Sequence, residues 1–128
     1  MTNVRLLDVG GEGRHQGAWN LNPRSRKTLG PEVGQLIPKR IAGRCEAIPL
    51  PDGSVGQVIV ERTPLSDQSL KEIARVAVPA AHVILRHSRP PWSDPHQRAA
   101  REWGPPIRQE FRRLAGQIVQ ESEFILHK

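Results

Sequence analysis

The sequence predicts an α/β fold built on an open, mostly parallel sheet, and three stretches carry that reading. Val4, Leu6, Leu7 and Val9 form an apolar run that includes Asp8 and stops at Gly10, Gly11 and Gly13. That is the pattern of a buried strand entering a turn whose missing Cβ atoms let a ligand approach the backbone. Val58-Ile59-Val60 is a continuous apolar run, suited to a strand covered on both faces. Leu70, Ile73, Ala74 and Ala77 recur at helical spacing behind Ser66 and Asp67, either of which can cap the helix, and the strand His82 to His87 follows.

The remaining elements are read in chain order. After Gly13 only four residues precede Ala18 to Asn22, a short second strand, so there is no room for the helix that ordinarily follows a first strand. Pro23 to Lys39 mixes Arg, Lys, Gly and Pro without periodicity and reads as a loop, locally basic at Arg24, Arg26 and Lys27. Arg40 to Glu46 reads as a third strand, Pro49 to Ser54 as a turn, and Val55 to Val60 as the fourth strand. Pro79-Ala80-Ala81 ends the helix, in a turn that two alanines enter less readily than glycines. Ser88 to Pro95, with Trp92, is a proline-rich connection. Two helical segments are expected at His96 to Trp103 and Pro106 to Ala115, the second with Ile107, Phe111, Leu114 and Ala115 on one face. Gln117 to Gln120 and Phe124 to His127 read as a closing pair of strands.

Composition bounds the function. A chain of 128 residues is read as one domain, residues 1 to 128, small for a doubly wound sheet. With 4% aromatics and no Tyr, the core must be aliphatic. The formal charge of +6 suits acidic partners, although solubility alone explains it more simply. Glu102 four residues after Arg98, and Glu110 three before Arg113, neutralise much of the C-terminal basic stripe and argue against nucleic acid. The single cysteine, Cys45, excludes an intrachain disulfide and reads as a small buried thiol. No apolar run approaches the ~20 residues of a membrane span. The start of the chain reads as strand without a basic-then-apolar signal region, so a cytoplasmic location is expected. The five histidines show no metal-ligand spacing and read as surface or core imidazoles, so no metal is expected.

Leu6-Leu7-Asp8-Val9-Gly10-Gly11-Glu12-Gly13 resembles the first motif of the class I, Rossmann-like S-adenosylmethionine-dependent methyltransferases. Glu46 to Val55 is similar to that family's E-A-L-P-F-P-D-G-S-F segment, and Leu70 to Val76 to its L-R-E-I-A-R-V helix. Gly17 to Asn22 resembles the abbreviated G-W-x-N-x-D segment of one branch. The resemblance implies a mostly parallel sheet with an antiparallel C-terminal edge and an abbreviated helical layer lacking the first helix.

It also implies S-adenosylmethionine as cofactor, with Gly10, Gly11 and Gly13 against its methionine and ribose end. Asn22, where the family has an Asp, would contact the ribose, and Cys45, Glu46 and Ala47 the adenine. Arg44 falls where the family has the acid that contacts the adenine amino group, a role Glu46 takes if the register differs by two. Catalysis would be proximity and alignment, with Glu61 as the nearby candidate for a general base. The acceptor would be a small molecule or an acidic, carrier-bound intermediate. A second reading is a methyltransferase-like binding or scaffold domain that has lost the cofactor. It would be a homodimer, because the missing helix leaves apolar sheet surface for a second subunit to cover.

Overall fold

The computed structural model describes residues 4–88 and 94–127. Its elements are β1 (Leu7–Val9), β2 (Trp19–Leu21), β3 (Arg40–Ile41), β4 (Val55–Glu61), α1 (Asp67–Val76), β5 (Ala77–Ser88), α2 (Pro95–Trp103), β6 (Arg108–Leu114) and β7 (Gln117–Ile125). All seven strands join one sheet in the order β3-β2-β1-β4-β5-β7-β6. The strands from β3 to β5 are parallel, and β7 runs antiparallel to both β5 and β6. β1 therefore lies inside the sheet, between β2 and β4, where a strand of buried apolar residues belongs.

Side-chain alternation gives the sheet two unlike faces. Leu7, Val58, Val83 and Phe124 are partners across β1, β4, β5 and β7, and all four are buried. Leu70, Ile73 and Val76 of α1 and Ala99 of α2 belong to the same core cluster. α1 starts where Ser66 Oγ accepts the Ser69 N–H at 3.1 Å, an N-cap that supplies one of the acceptors the first helical turn lacks. One residue along, the other face carries Arg40, Asn20, Asp8, Ile59, Ile84, Glu123 and Arg108 as one row across all the strands. No helix connects β1 to β2 or β2 to β3.

On this second face the polar residues satisfy one another. Glu121, 3% exposed, accepts from Arg86 and pairs with Arg108 and Arg112 at 2.7 and 2.6 Å. Burial pushes its carboxyl up, but those guanidiniums outweigh burial and leave it at about 2. The surface expected to be apolar is thus largely ion-paired, with Ile59 and Ile84 as the aliphatic residues of its central row.

Four expectations need correction. Residues 106 to 115 are not a helix: β6 is a strand that turns into β7 through Ala115 and Gly116, both at positive φ (50° and 79°), the geometry of a two-residue hairpin. Spacing at 107, 111 and 114 fits a helix equally well, and only pairing with β7 decides between the two. The closing strands are one, because Glu121 and Glu123 point to the ion-paired face while Ser122 and Phe124 stay in the core. The third strand is only Arg40–Ile41. Pro79 to Ala81 lies within β5 as a bulge, the register stepping from Val55↔Ala77 to Gln57↔His82, and Ala80 does take a positive φ of 65°. The connection containing Trp92 lies outside the described residues.

The ion pairs also differ from helical spacing. Arg98 pairs with Asp67 at 3.2 Å, and Glu110 with Arg108 at 2.9 Å and Arg112 at 3.6 Å. Among the described residues no helix is long and apolar enough to cross a membrane.

Candidate functional site

The glycine turn leaves β1 at the carboxyl edge of the sheet, and its own neighbours explain why it is glycine. A Cβ on Gly10, whose φ is 76°, would lie 2.1 Å from Thr63 Oγ1; one on Gly11 would lie 2.3 Å from Asn20 Oδ1 and 2.5 Å from the Asp8 carboxylate. The turn's amides are also engaged. Gly10 N donates to Leu21 O (2.8 Å), Gly11 N to Asp8 O (3.2 Å) and Gly13 N to Asn20 Oδ1 (3.2 Å). Glu12 serves as a clamp, accepting from Thr28 N (2.9 Å), Thr28 Oγ1 (2.6 Å) and Leu29 N (3.2 Å).

Beside the turn, a cleft of about 280 Å³ opens over the ends of β1, β2 and β4. Val9, Leu21 and Pro64 give it apolar walls; Gly10, Arg44, Cys45, Glu46 and Thr63 add polar groups. Of the residues expected at a cofactor, Gly10, Cys45 and Glu46 line this cleft, and Gly11, Gly13, Asn22 and Ala47 do not. Gly13 borders a second depression with Glu12, Arg14 and Lys27. Buried Asn22 donates to Gly11 O (3.1 Å) and accepts from Arg24 N (2.9 Å), so both ends of its amide already fasten the turn after β2. Ala47 N closes a tight turn on Arg44 O at 3.1 Å. The Cys45 thiol is buried 3.8 Å from Ser69 O, and burial pushes it up to about 12, which makes it a packing group rather than a nucleophile.

Charge at the end of β4 is organised around Arg14. Its guanidinium grips the fully buried Asp8 at 2.9 and 3.1 Å, and reaches Glu61 O at 3.2 Å. Burial pushes the Asp8 carboxyl up, against the opposing hydrogen bonds and charge of Arg14. Glu61 receives His15 at 2.8 Å and Arg86 at 3.1 Å. Burial alone would raise it; Arg14, His15 and Arg86 together hold it below the ordinary carboxylate range. A carboxylate kept ionised and paired in this way is a weak proton acceptor, and Glu61 does not itself line the cleft.

Two of the histidines, His87 and His96, are core residues. His87 Nε2 meets Thr63 O at 2.8 Å, His87 Nδ1 meets His96 Nε2 at 3.0 Å, and His96 Nδ1 meets Ser122 Oγ at 2.7 Å, with all three side chains buried. A carbonyl only accepts, so Nε2 of His87 carries the proton. If both rings are neutral, His96 then donates to His87 and Ser122 donates to His96. This relay fastens the Thr63 backbone of the cleft floor to β5, α2 and β7. Sequence spacing holds no trace of it, because strand pairing and the docking of α2 bring the three together. Among the described residues no cluster of metal-ligating side chains occurs.

The strand order, with a parallel core and an antiparallel end, defines the fold of the class I S-adenosylmethionine-dependent methyltransferases. Known structures share it across nearly the whole chain. A variant of the 16S rRNA (adenine(1408)-N(1))-methyltransferase from Catenulisporales acidiphilia, solved with S-adenosylmethionine, superposes with a TM-score of 0.66 at 15% identity, covering 99% of this chain and 86% of that one. A methyltransferase from Methanosarcina mazei gives 0.70 at 10% identity, covering 99% and 94%. One from Aquifex aeolicus gives 0.62 at 15% identity, covering 98% and 83%. No known protein-family profile matches the sequence, and no curated protein matches it significantly.

Proposed function

We propose that this chain, as one methyltransferase-like domain, takes S-adenosylmethionine in the carboxyl-edge cleft and presents its methyl group to a small-molecule or carrier-bound acceptor. The observation that carries the reading is the cleft itself, at the strand ends where open α/β sheets hold ligands. Its apolar walls, the Glu46 carboxylate and the glycine backbone suit the adenosine part. The engaged amides of Gly10, Gly11 and Gly13 leave the carboxylate of the methionine part to be met by side chains. When bound, the cofactor supplies an electrophilic methyl group on sulfur. Gly10, Cys45 and Glu46 would hold it, Thr63 and Pro64 would border the acceptor, and the histidine relay would keep that floor rigid, so that alignment supplies the rate.

Titration calorimetry with S-adenosylmethionine and S-adenosylhomocysteine tests this. Micromolar binding that weakens at least tenfold in Glu46→Ala supports it, and the absence of heat and of thermal shift at millimolar ligand removes it. Gly10→Val is the harsher companion, since a side chain there meets both Thr63 and an unfavourable φ.

A second reading is favoured by the inward-turned amides: a binding or scaffold domain that no longer holds the cofactor, acting as a homodimer. Its contact would lie at the sheet edge formed by β6 and its hairpin, where Ile107, Leu114 and Ile118 are each at least 44% exposed. Light scattering after a sizing column decides it: a monomer at high micromolar concentration removes the dimer.

A further inference from the structure

We propose that the rim of the cleft binds the phosphate of an acceptor through Arg24, Arg44 and Arg62. The inference deepens the cleft reading by naming the class of acceptor, and it rests on how the arginines are used. Arg14, Arg75, Arg86, Arg98, Arg108 and Arg112 are each in an ion pair. Arg26 and Arg40 donate to backbone carbonyls. Among the described residues, the guanidiniums of the exposed Arg5, Arg24, Arg44, Arg62, Arg101 and Arg113 have neither an ion pair nor a hydrogen bond, and of these Arg24, Arg44 and Arg62 belong to the segments that line the cleft.

These three come from three separate loops that meet at the cleft through Pro23, Arg44 and Thr63. Arg44 lines the cleft, Arg24 follows the lining residue Pro23, and Arg62 precedes the lining residue Thr63. Within the lining Arg44 and Glu46 balance, and the flanking Arg24 and Arg62 add two positive charges beside it. Arg62 also stands at φ 60°, a region that residues other than glycine rarely enter and that concentrates at ligand sites. Guanidiniums fork onto phosphate oxygens, and several together suit a group with more than one negative charge.

The size of this site argues for a small phosphorylated compound over a nucleic-acid strand. A polynucleotide needs a basic track, and the other candidates for one, Arg98, Arg108 and Arg112, are neutralised by Asp67, Glu121 and Glu123.

The test is calorimetric titration of inorganic pyrophosphate into the full chain without S-adenosylmethionine. The proposal expects saturable binding that weakens at least tenfold in Arg44→Gln and in Arg62→Gly and disappears when Arg24, Arg44 and Arg62 are all changed to Gln. Arg62→Gly relieves the left-handed strain, so it must melt no lower than the parent while losing affinity. Arg5→Gln and Arg101→Gln, exposed arginines outside the rim, serve as controls and should bind as the parent does. Three results would overturn the proposal: no pyrophosphate heat in the parent; equal losses in the controls; or a single-stranded RNA that binds more tightly than pyrophosphate and does so equally well in the triple variant. Pyrophosphate binding without S-adenosylmethionine binding would sink the cofactor reading and leave the rim standing, and the converse would sink the rim alone.

Discussion

On the face that α1 and α2 cover, the row Leu7, Val58, Val83 and Phe124 crosses the sheet without a polar atom in its side chains. One residue along the same strands, the row Asp8, Ile59, Ile84 and Glu123 has a carboxylate at each end. The first face is stabilised by removing aliphatic surface from water, the second by pairing charges across the strands. A doubly wound sheet ordinarily covers both faces with helices. Here the connections between β1, β2 and β3 are loops, and on that face the strands carry Asn20, Asp8, Glu61, Arg86, Glu121 and Glu123 around the two aliphatic residues Ile59 and Ile84. The comparison teaches that this chain has matched the composition of its strands to the lost helices, so that half a helical layer is tolerable.

The largest expected effect lies on the covered face. Phe124 is 1% exposed and meets Trp103 edge-on with ring centroids 5.4 Å apart. Phe124→Ala should cost about 3–5 kcal/mol in chemical denaturation, through lost transfer energy and the cavity left behind. A loss below about 1 kcal/mol would mean that this side is not the core.

On the ion-paired face, Glu121→Ala leaves Arg86, Arg108 and Arg112 crowded without their shared carboxylate and should cost about 3 kcal/mol. Replacing Glu121 by Leu together with Arg86 by Met should cost less than the single change, because one of the three stranded guanidiniums is removed while Glu61 keeps Arg14 and His15. If the double variant is the less stable one, the pairs contribute net stability and not merely the matching of charge.

The smallest effect is a pH dependence. Burial lowers the pKa of His87, with Thr63 O and the Asp94 and Glu61 charges opposing it. The folded chain therefore binds this proton less readily than the unfolded chain does. Its contribution is complete above the unfolded value near 6.5 and is lost as pH falls through that value toward the folded one. Glu121 follows the same sign in a lower window: its contribution is present above the unfolded carboxylate value and lost as pH falls toward about 2. Thermal melts from pH 8 to pH 3 should show two descending steps, with His87→Gln removing only the upper one. A single step in the parent would separate the relay from stability.

What the sequence determined by itself was what short-range pattern can carry. The apolar run ending at Gly10, the continuous strand at Val58 to Val60, and the capped helix from Ser66 with its four-residue periodicity all depend on neighbours within a turn or a strand length. The class of fold followed from them and from the motifs in their order. Tertiary structure decided the rest. Whether 107, 111 and 114 mark a helix or a strand depended on pairing with β7, and the Thr63–His87–His96–Ser122 relay depended on register between segments far apart in the chain. The glycines illustrate the division most clearly. Their spacing foretold a turn at the end of β1, yet where the turn's amides point and what lies on its missing Cβ atoms was set by Leu21, Asn20 and Thr63, residues brought there only when the sheet closed.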